Sequence, residues 1–188
     1  MHKDAMTALK QLDHQLAKDV VATDNEVDRF HLYVIRQLKT AAQNPIIIRE
    51  IGLTTGRDCL GYRLVTKTVE RTADHAANIA KNVLLLENEI DGETLEKIEK
   101  MSALAISMFE TAIESLFRRD FNLAESVIEK VREIASMEKE VLLSFKEVEI
   151  EEIANLRLLI ESVRRTAEYA SDIAEIVLNL TIYDITEK

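Results

Sequence analysis

Two pairs of carboxylates, each spaced one helical turn apart, are the residues of this sequence best placed to do chemistry. Asp24 and Asp28 bracket the run DNEVD, and Glu70 and Asp74 bracket ERTAD. On a helix, positions i and i+4 stand one above the other on the same face, so each pair makes a short ladder of acidic oxygens. Two such ladders set side by side repel each other, and protonation or a bound cation relieves the repulsion. Oxygen-only ligands suit magnesium, calcium, manganese or iron and choose poorly among them. His31 is an additional candidate ligand, because Asp28-x-x-His31 puts an acid and an imidazole on one face.

Whether the ladders meet depends on the helices that carry them. At about 100° per residue, Val20, Val27, Val34 and Leu38 mark the apolar stripe of the earlier helix, with Asp24, Asp28 and His31 along one flank. Val65, Val69, Ala73, Ala76, Ala80 and Val83 mark the stripe of the later one, flanked by Arg63, Lys67, Glu70, Asp74 and Asn78. Facing flanks across a groove would join the four acids. The bland alternative is that Glu70 and Asp74 pair with Lys67, Arg63 or Arg71 on a solvated face, and spacing alone favours it. His75 lies about 100° or more from the acidic flank, which makes it a packing or hydrogen-bonding residue.

Composition points to helices throughout. One proline, four glycines and no tryptophan in 188 residues, with 47% hydrophobic content, predict an all-α bundle with a sizeable core. Cys59 is the only cysteine, so neither an internal disulfide nor a thiolate cage can form. No apolar run reaches the roughly 18 residues of a membrane span, and a soluble, intracellular chain is expected. A net charge of −10 disfavours direct contact with nucleic acid or an anionic membrane. Residues 1–91 hold 12 basic against 13 acidic side chains, whereas residues 92–188 hold 12 against 21. The ladders thus lie in the less acidic half, and their acids reflect placement more than bulk charge.

The chain also repeats itself. Leu16–Val21 matches Leu123–Ile128 at an offset of 107, and Val69–Asp74 matches Val163–Glu168 at an offset of 94. The difference puts extra residues in the first half around Asn44 to Gly61, where Pro45, Gly52, Gly56 and Gly61 punctuate the pattern. Helices are expected over about Asp4–Leu12, Leu16–Ala42, a short piece from Pro45, and Leu60–Glu87; Asp91-Gly92 then marks a boundary. The second half reads as Glu93–Arg118, Asn122–Lys146 and Glu151–Leu180. Short connections make neighbours antiparallel, so the expected architecture is two repeated antiparallel three-helix bundles, 1–91 and 92–188. The repeat sets Met1 opposite Met108, so the opening helix of the first bundle is expected to be several turns short, as in a trimmed chain or one that follows an upstream domain.

The run Val69–Ala80, VERTADHAANIA, taken with the acid-x-x-x-acid pairs, is similar to the PhoU family of phosphate-uptake regulators, and the similarity covers most of the chain. The resemblance implies two repeated three-helix bundles and a metal site on Asp24, Asp28, Glu70 and Asp74, holding iron or zinc first among metals. It further implies a non-catalytic regulator that docks on phosphate transporter components or a sensor kinase and meets the membrane only through such partners. A homodimer stays open. At the matching positions the second half carries Val131, Ala135, Arg164 and Glu168, so a second cluster of this type is not expected; Glu168 and Asp172 read as charges paired with Arg164 and Arg165. Two other readings stay open: a helical adaptor whose acids are merely solvated, and a carboxylate-bridged di-metal oxidase. The oxidase needs an acid-x-x-His motif on two helices, and only Asp28-x-x-His31 is found.

Overall fold

The computed structural model describes residues 1–145 and 150–186, all of whose regular structure is helical. The first half holds α1 (His2–Gln11), α2 (His14–Ala41), the short α3 (Pro45–Glu50) and α4 (Gly56–Val83). The second holds α5 (Gly92–Arg118), α6 (Phe121–Glu129), α7 (Val131–Ser144) and α8 (Ile150–Thr186). Helices α1, α2 and α4 pack as one three-helix bundle, and α5, the α6–α7 pair and α8 as the other. The most extensive contact between any two helices is α4 against α8, which joins the bundles.

Side-chain caps set the helix starts. Asp13 accepts hydrogen bonds from the backbone N–H groups of Gln15 and Leu16, and Asp120 accepts from Leu123. Just before each, Leu12 and Arg119 turn the chain through the left-handed region, at φ 47° and 52°. These positions are 107 residues apart, so the repeat read from sequence is also a repeated turn. Thr55 and Asp58 form a reciprocal capping box that starts α4 at Gly56. The helix therefore begins four residues ahead of the expected Leu60, and Gly61 lies inside it. A Cβ at Gly61 would stand 2.9 Å from the Leu180 side chain of α8, so this glycine marks close helix packing and not a loop.

The expected single helix Asn122–Lys146 is two helices with a break at Lys130; Lys146 itself lies outside the described residues. The Lys130 N–H bonds to the Val127 carbonyl three residues back, tightening the turn, and the Ser126 hydroxyl donates to the Leu123 carbonyl one turn earlier.

One apolar core runs through both bundles, including Ile79, Ile98, Met101, Ile134, Leu159 and Ile173, all essentially inaccessible. The extra residues of the first half build a small core of their own, in which Leu38, Ala41, Ile48, Leu53 and Cys59 pack together. Cys59 is thus a buried filler, and burial pushes its thiol pKa up, with Asp58 adding to the shift.

Candidate metal centre

Helices α2 and α4 pack along their length, and that packing sets the two ladders face to face. Oxygens of Asp28, Glu70 and Asp74 all lie within 4.8 Å of one another. Asp28 is exposed, Asp74 is half-buried, and the Glu70 side chain is only 12% exposed. Asp24, one turn before Asp28, lies outside that tight group but inside its field. Burial raises the Asp24 pKa above the usual carboxylate range, Asp28 raises it further and Glu70 adds a little, while Lys81 opposes. Burial likewise raises Asp74, followed by repulsion from Glu70 and Asp24; Lys67 pulls it down and Asp28 pushes it up. Four acids therefore share one patch of field, three of them at close range.

The cluster is partly neutralised from within. Lys67 donates a hydrogen bond to Glu70 on the same face of α4, as the solvated-face reading anticipated for that residue. One ammonium cannot balance three or four carboxylates, and Lys81, which acts on Asp24 from the far end of α4, was not foreseen. Its sequence signal was available, since Lys81 lies two helical turns beyond Asp74 on the same helix.

His31 faces α4 but is not brought into the tight group. Its Nδ1 lies 3.3 Å from the Thr66 carbonyl, a geometry in which Nδ1–H donates to that oxygen. His75 points to α8, where Nδ1 sits 3.2 Å from the Ser162 hydroxyl and the ring tilts against Tyr169 with centroids 5.6 Å apart. Burial lowers its pKa, helped by Arg165. It is a hydrogen-bonding residue between the bundles, as its angular position predicts.

The matching face of the second bundle is built differently. The Arg164 guanidinium lies among three carboxylates: Glu138 at 3.3 Å, Glu161 at 3.9 Å, and Glu168, to which it donates a hydrogen bond. Glu168 also receives Arg165 at 2.9 Å. Glu138 was missed in the sequence, although the offset of 107 places it opposite His31. Asp172 is raised in pKa by burial and by Glu168, with Arg71 and Arg165 opposing.

As a donor set, Asp28, Glu70 and Asp74 offer carboxylate oxygen only and are open to water on the Asp28 side. Such a set fits iron, manganese or magnesium with water completing the coordination. It fits zinc less well, since closed structural zinc sites draw on sulfur and nitrogen.

A model of the PhoU domain matches residues 1–83 and 98–177. The chain is similar to phosphate-specific transport system accessory protein PhoU homologs from Borreliella burgdorferi and Clostridium acetobutylicum. Identity to the first is 23%, over 95% of this chain and 84% of the relative; identity to the second is 25%, over 98% and 84%. In fold it resembles the phosphate transport system regulatory protein PhoU from Streptococcus pneumoniae, at a TM-score of 0.82 and 21% identity over 95% of this chain and 85% of that one. It also resembles PhoU from Pseudomonas aeruginosa, at a TM-score of 0.76 and 21% identity over 95% and 87%.

Proposed function

The chain belongs to the PhoU domain family, and from that premise we propose that it regulates phosphate uptake and phosphate-responsive signalling by docking on a phosphate transporter or its sensor kinase, with a cation at the α2–α4 acid cluster. The family's members are regulators and not catalysts, so the reading asks for a surface and not for turnover. The observation that carries the cation is the convergence of Asp28, Glu70 and Asp74 from two helices, against a single paired lysine.

When bound, the cation supplies positive charge where three carboxylates meet. The protein's part is to hold those carboxylates in register: Asp28 from α2, Glu70 and Asp74 from one face of α4. Neutralising them locks α2 against α4 and gives a partner a rigid face in place of a mutually repelling one. Iron comes first on the donor set and the family; manganese, magnesium and calcium suit the same oxygens, and zinc comes in on the family alone. In this reading the protein works in the cytoplasm and reaches the membrane only through its partner. No described helix is long and apolar enough to cross one.

Elemental analysis of the purified full chain tests the cation. Stoichiometric metal, lost when Asp28→Asn and Asp74→Asn are combined, is the expected result. A metal-free protein whose melting temperature ignores both chelator and added iron, zinc or manganese overturns that part. Binding to a reconstituted phosphate transporter tests the docking, and binding unchanged in the double variant would remove the cluster from the docking face.

A further inference from the structure

Between the two acid ladders the charge of the chain reverses. Residues 29–69, from just after Asp28 to just before Glu70, hold seven basic side chains and two acidic ones, a net +5 in a chain of −10. One of the two acids, Asp58, is buried and turned inward, where its carboxylate accepts from the Thr54 and Thr55 N–H groups and the Thr54 hydroxyl. Four of the seven cations sit on α4 or border its leucines. Measured from Leu60, the side chains of Arg57, Arg63, Leu64, Lys67 and Arg71 all lie within about 60° round the helix, while Cys59, Val65, Thr68 and Thr72 are buried on other faces. Leu60 is 65% and Leu64 51% exposed, one turn apart, with Arg57, Arg63 and Arg71 exposed beside them. At the offset of 94 the same stripe of α8 reads Glu151, Ala154, Arg157, Leu158, Glu161 and Arg165, which is neutral and keeps only one leucine. A helix can therefore hold this place in the fold without the second leucine or the positive charge, and packing accounts for neither.

Resting on the docking reading above, we infer that this stripe of α4 is the surface that docks, and that it takes an acidic amphipathic helix of the partner. Such a helix sets two aliphatic side chains, one turn apart, over Leu60 and Leu64, and turns carboxylates on either side toward Arg57 and Arg63. The chemistry follows from the stripe. Leucines one turn apart match an apolar ridge of the same rise, and guanidinium groups match carboxylates better than any other side chain. The width selects a helix over a lipid surface. Acids border the stripe on both sides: Glu70 and Asp74, with Asp28, toward α2, and Asp172 of α8 within the field of Arg71. A broad anionic bilayer would press on those carboxylates along with the cations, whereas a rod about 10–12 Å across seats between them. Charge of opposite sign on so narrow a strip also orients the incoming helix, because a basic or neutral one would meet four cations and no acid at the Leu60 end.

Binding of the full chain to a phosphate transporter, and separately to the sensor kinase, each reconstituted in uncharged lipid, reads the outcome. Leu60→Asp should raise the dissociation constant by about tenfold or more. Arg63→Glu should raise it severalfold, mainly through slower association, and should flatten its dependence on salt. Leu158→Asp, at the counterpart of Leu64, should leave it alone. All three sites are exposed, so the melting temperature should stay that of the wild type. Leu60→Asp should also keep any rise in melting temperature on adding metal, which separates the stripe from the acid cluster. Wild-type binding that survives both Leu60→Asp and Arg63→Glu overturns the inference and leaves the docking reading standing; a wild-type chain that binds neither protein overturns both. Two further results assign the stripe to another occupant and overturn the inference. One is wild-type binding to protein-free vesicles of phosphatidylglycerol and phosphatidylcholine that Arg63→Glu abolishes. The other is a change in the sedimentation mass of the chain alone on Leu60→Asp, which would mean that a second copy covers the stripe.

Discussion

The α2–α4 face and the α7–α8 face occupy equivalent places in the two bundles, yet they solve one electrostatic problem in opposite ways. Asp24, Asp28, His31, Glu70 and Asp74 on the first correspond to Val131, Ala135, Glu138, Arg164 and Glu168 on the second. Both faces concentrate carboxylates. The second holds them round a guanidinium of its own, whose Nε lies 3.3 Å from Glu138. The first has no central cation among its described residues; Lys67 pairs with Glu70 and acts on Asp74 only through its field, Lys81 acts likewise on Asp24, and both aspartates keep raised pKa values. Even the ion pair along the helix is reversed, Lys67 before Glu70 in one case and Glu161 before Arg164 in the other. One covalently attached charge thus separates a face that neutralises its own acids from a face whose acids are left repelling one another.

The contrast is broken most directly with metal. A divalent cation at about a hundred times its dissociation constant should stabilise the protein by roughly 2.7 kcal/mol, or about 5–10 °C in melting temperature for a chain of this size. The gain should vanish in Asp28→Asn with Asp74→Asn and persist in Glu138→Gln with Glu168→Gln. A stabilisation that follows the second pair would put the ion on the wrong bundle.

A second difference between the halves is His2, whose counterpart is Phe109. Its ring nitrogens bond the Ser102 and Thr166 hydroxyls, and burial, with the N-terminal ammonium beside it, lowers its pKa to about 4. The unfolded imidazole takes up a proton near pH 6.5 and the folded one does not, so stability is lost as pH falls from about 6.5 and levels off below about 4. The loss should reach roughly 3 kcal/mol, measured by denaturant titration at several pH values. His2→Phe, which copies the second half, should remove that slope while the rest of the acid profile stays.

Arg164→Gln sharpens the comparison from the other side. It leaves Glu138, Glu161 and Glu168 without their central charge and should cost about 1–2 kcal/mol at neutral pH. High salt should recover part of the loss by screening the acids. The smallest effect belongs to Lys67→Gln. Its half-exposed pair with Glu70 is worth about 0.5 kcal/mol in stability, but its removal should tighten cation binding, and a titration showing weaker binding would mean that Lys67 shapes the site instead of competing for it.

Much of this was legible in the sequence. The repeat, the four helices of the first half and the shared face of each acid pair follow from period and spacing, because an i, i+4 ladder must lie on one face; that the two ladders face each other was implied by the family resemblance, since spacing alone favoured acids paired with neighbouring bases. The break at Lys130 was not, since no proline or glycine marks it and the signal is a serine hydroxyl bonded back to its own helix. Gly61 misled for a related reason: a glycine needed for close approach by Leu180 has the same letter as one needed for a turn. Asp24 shows the limit of angular reasoning. Its flank is right, but its distance from the other three depends on how far α2 and α4 slide along each other, which no single helix encodes.

The contact between His75 and Tyr169 falls where the molecule's internal dyad crosses, for the two residues are 94 apart and are counterparts in the repeat. On such an axis a side chain meets its own duplicate. A protein assembled from two first halves would set imidazole on imidazole there, and one from two second halves phenol on phenol. Only the mixed pair gives a hydroxyl facing a ring nitrogen, so the halves have become complementary where a fresh gene duplication would have left them identical.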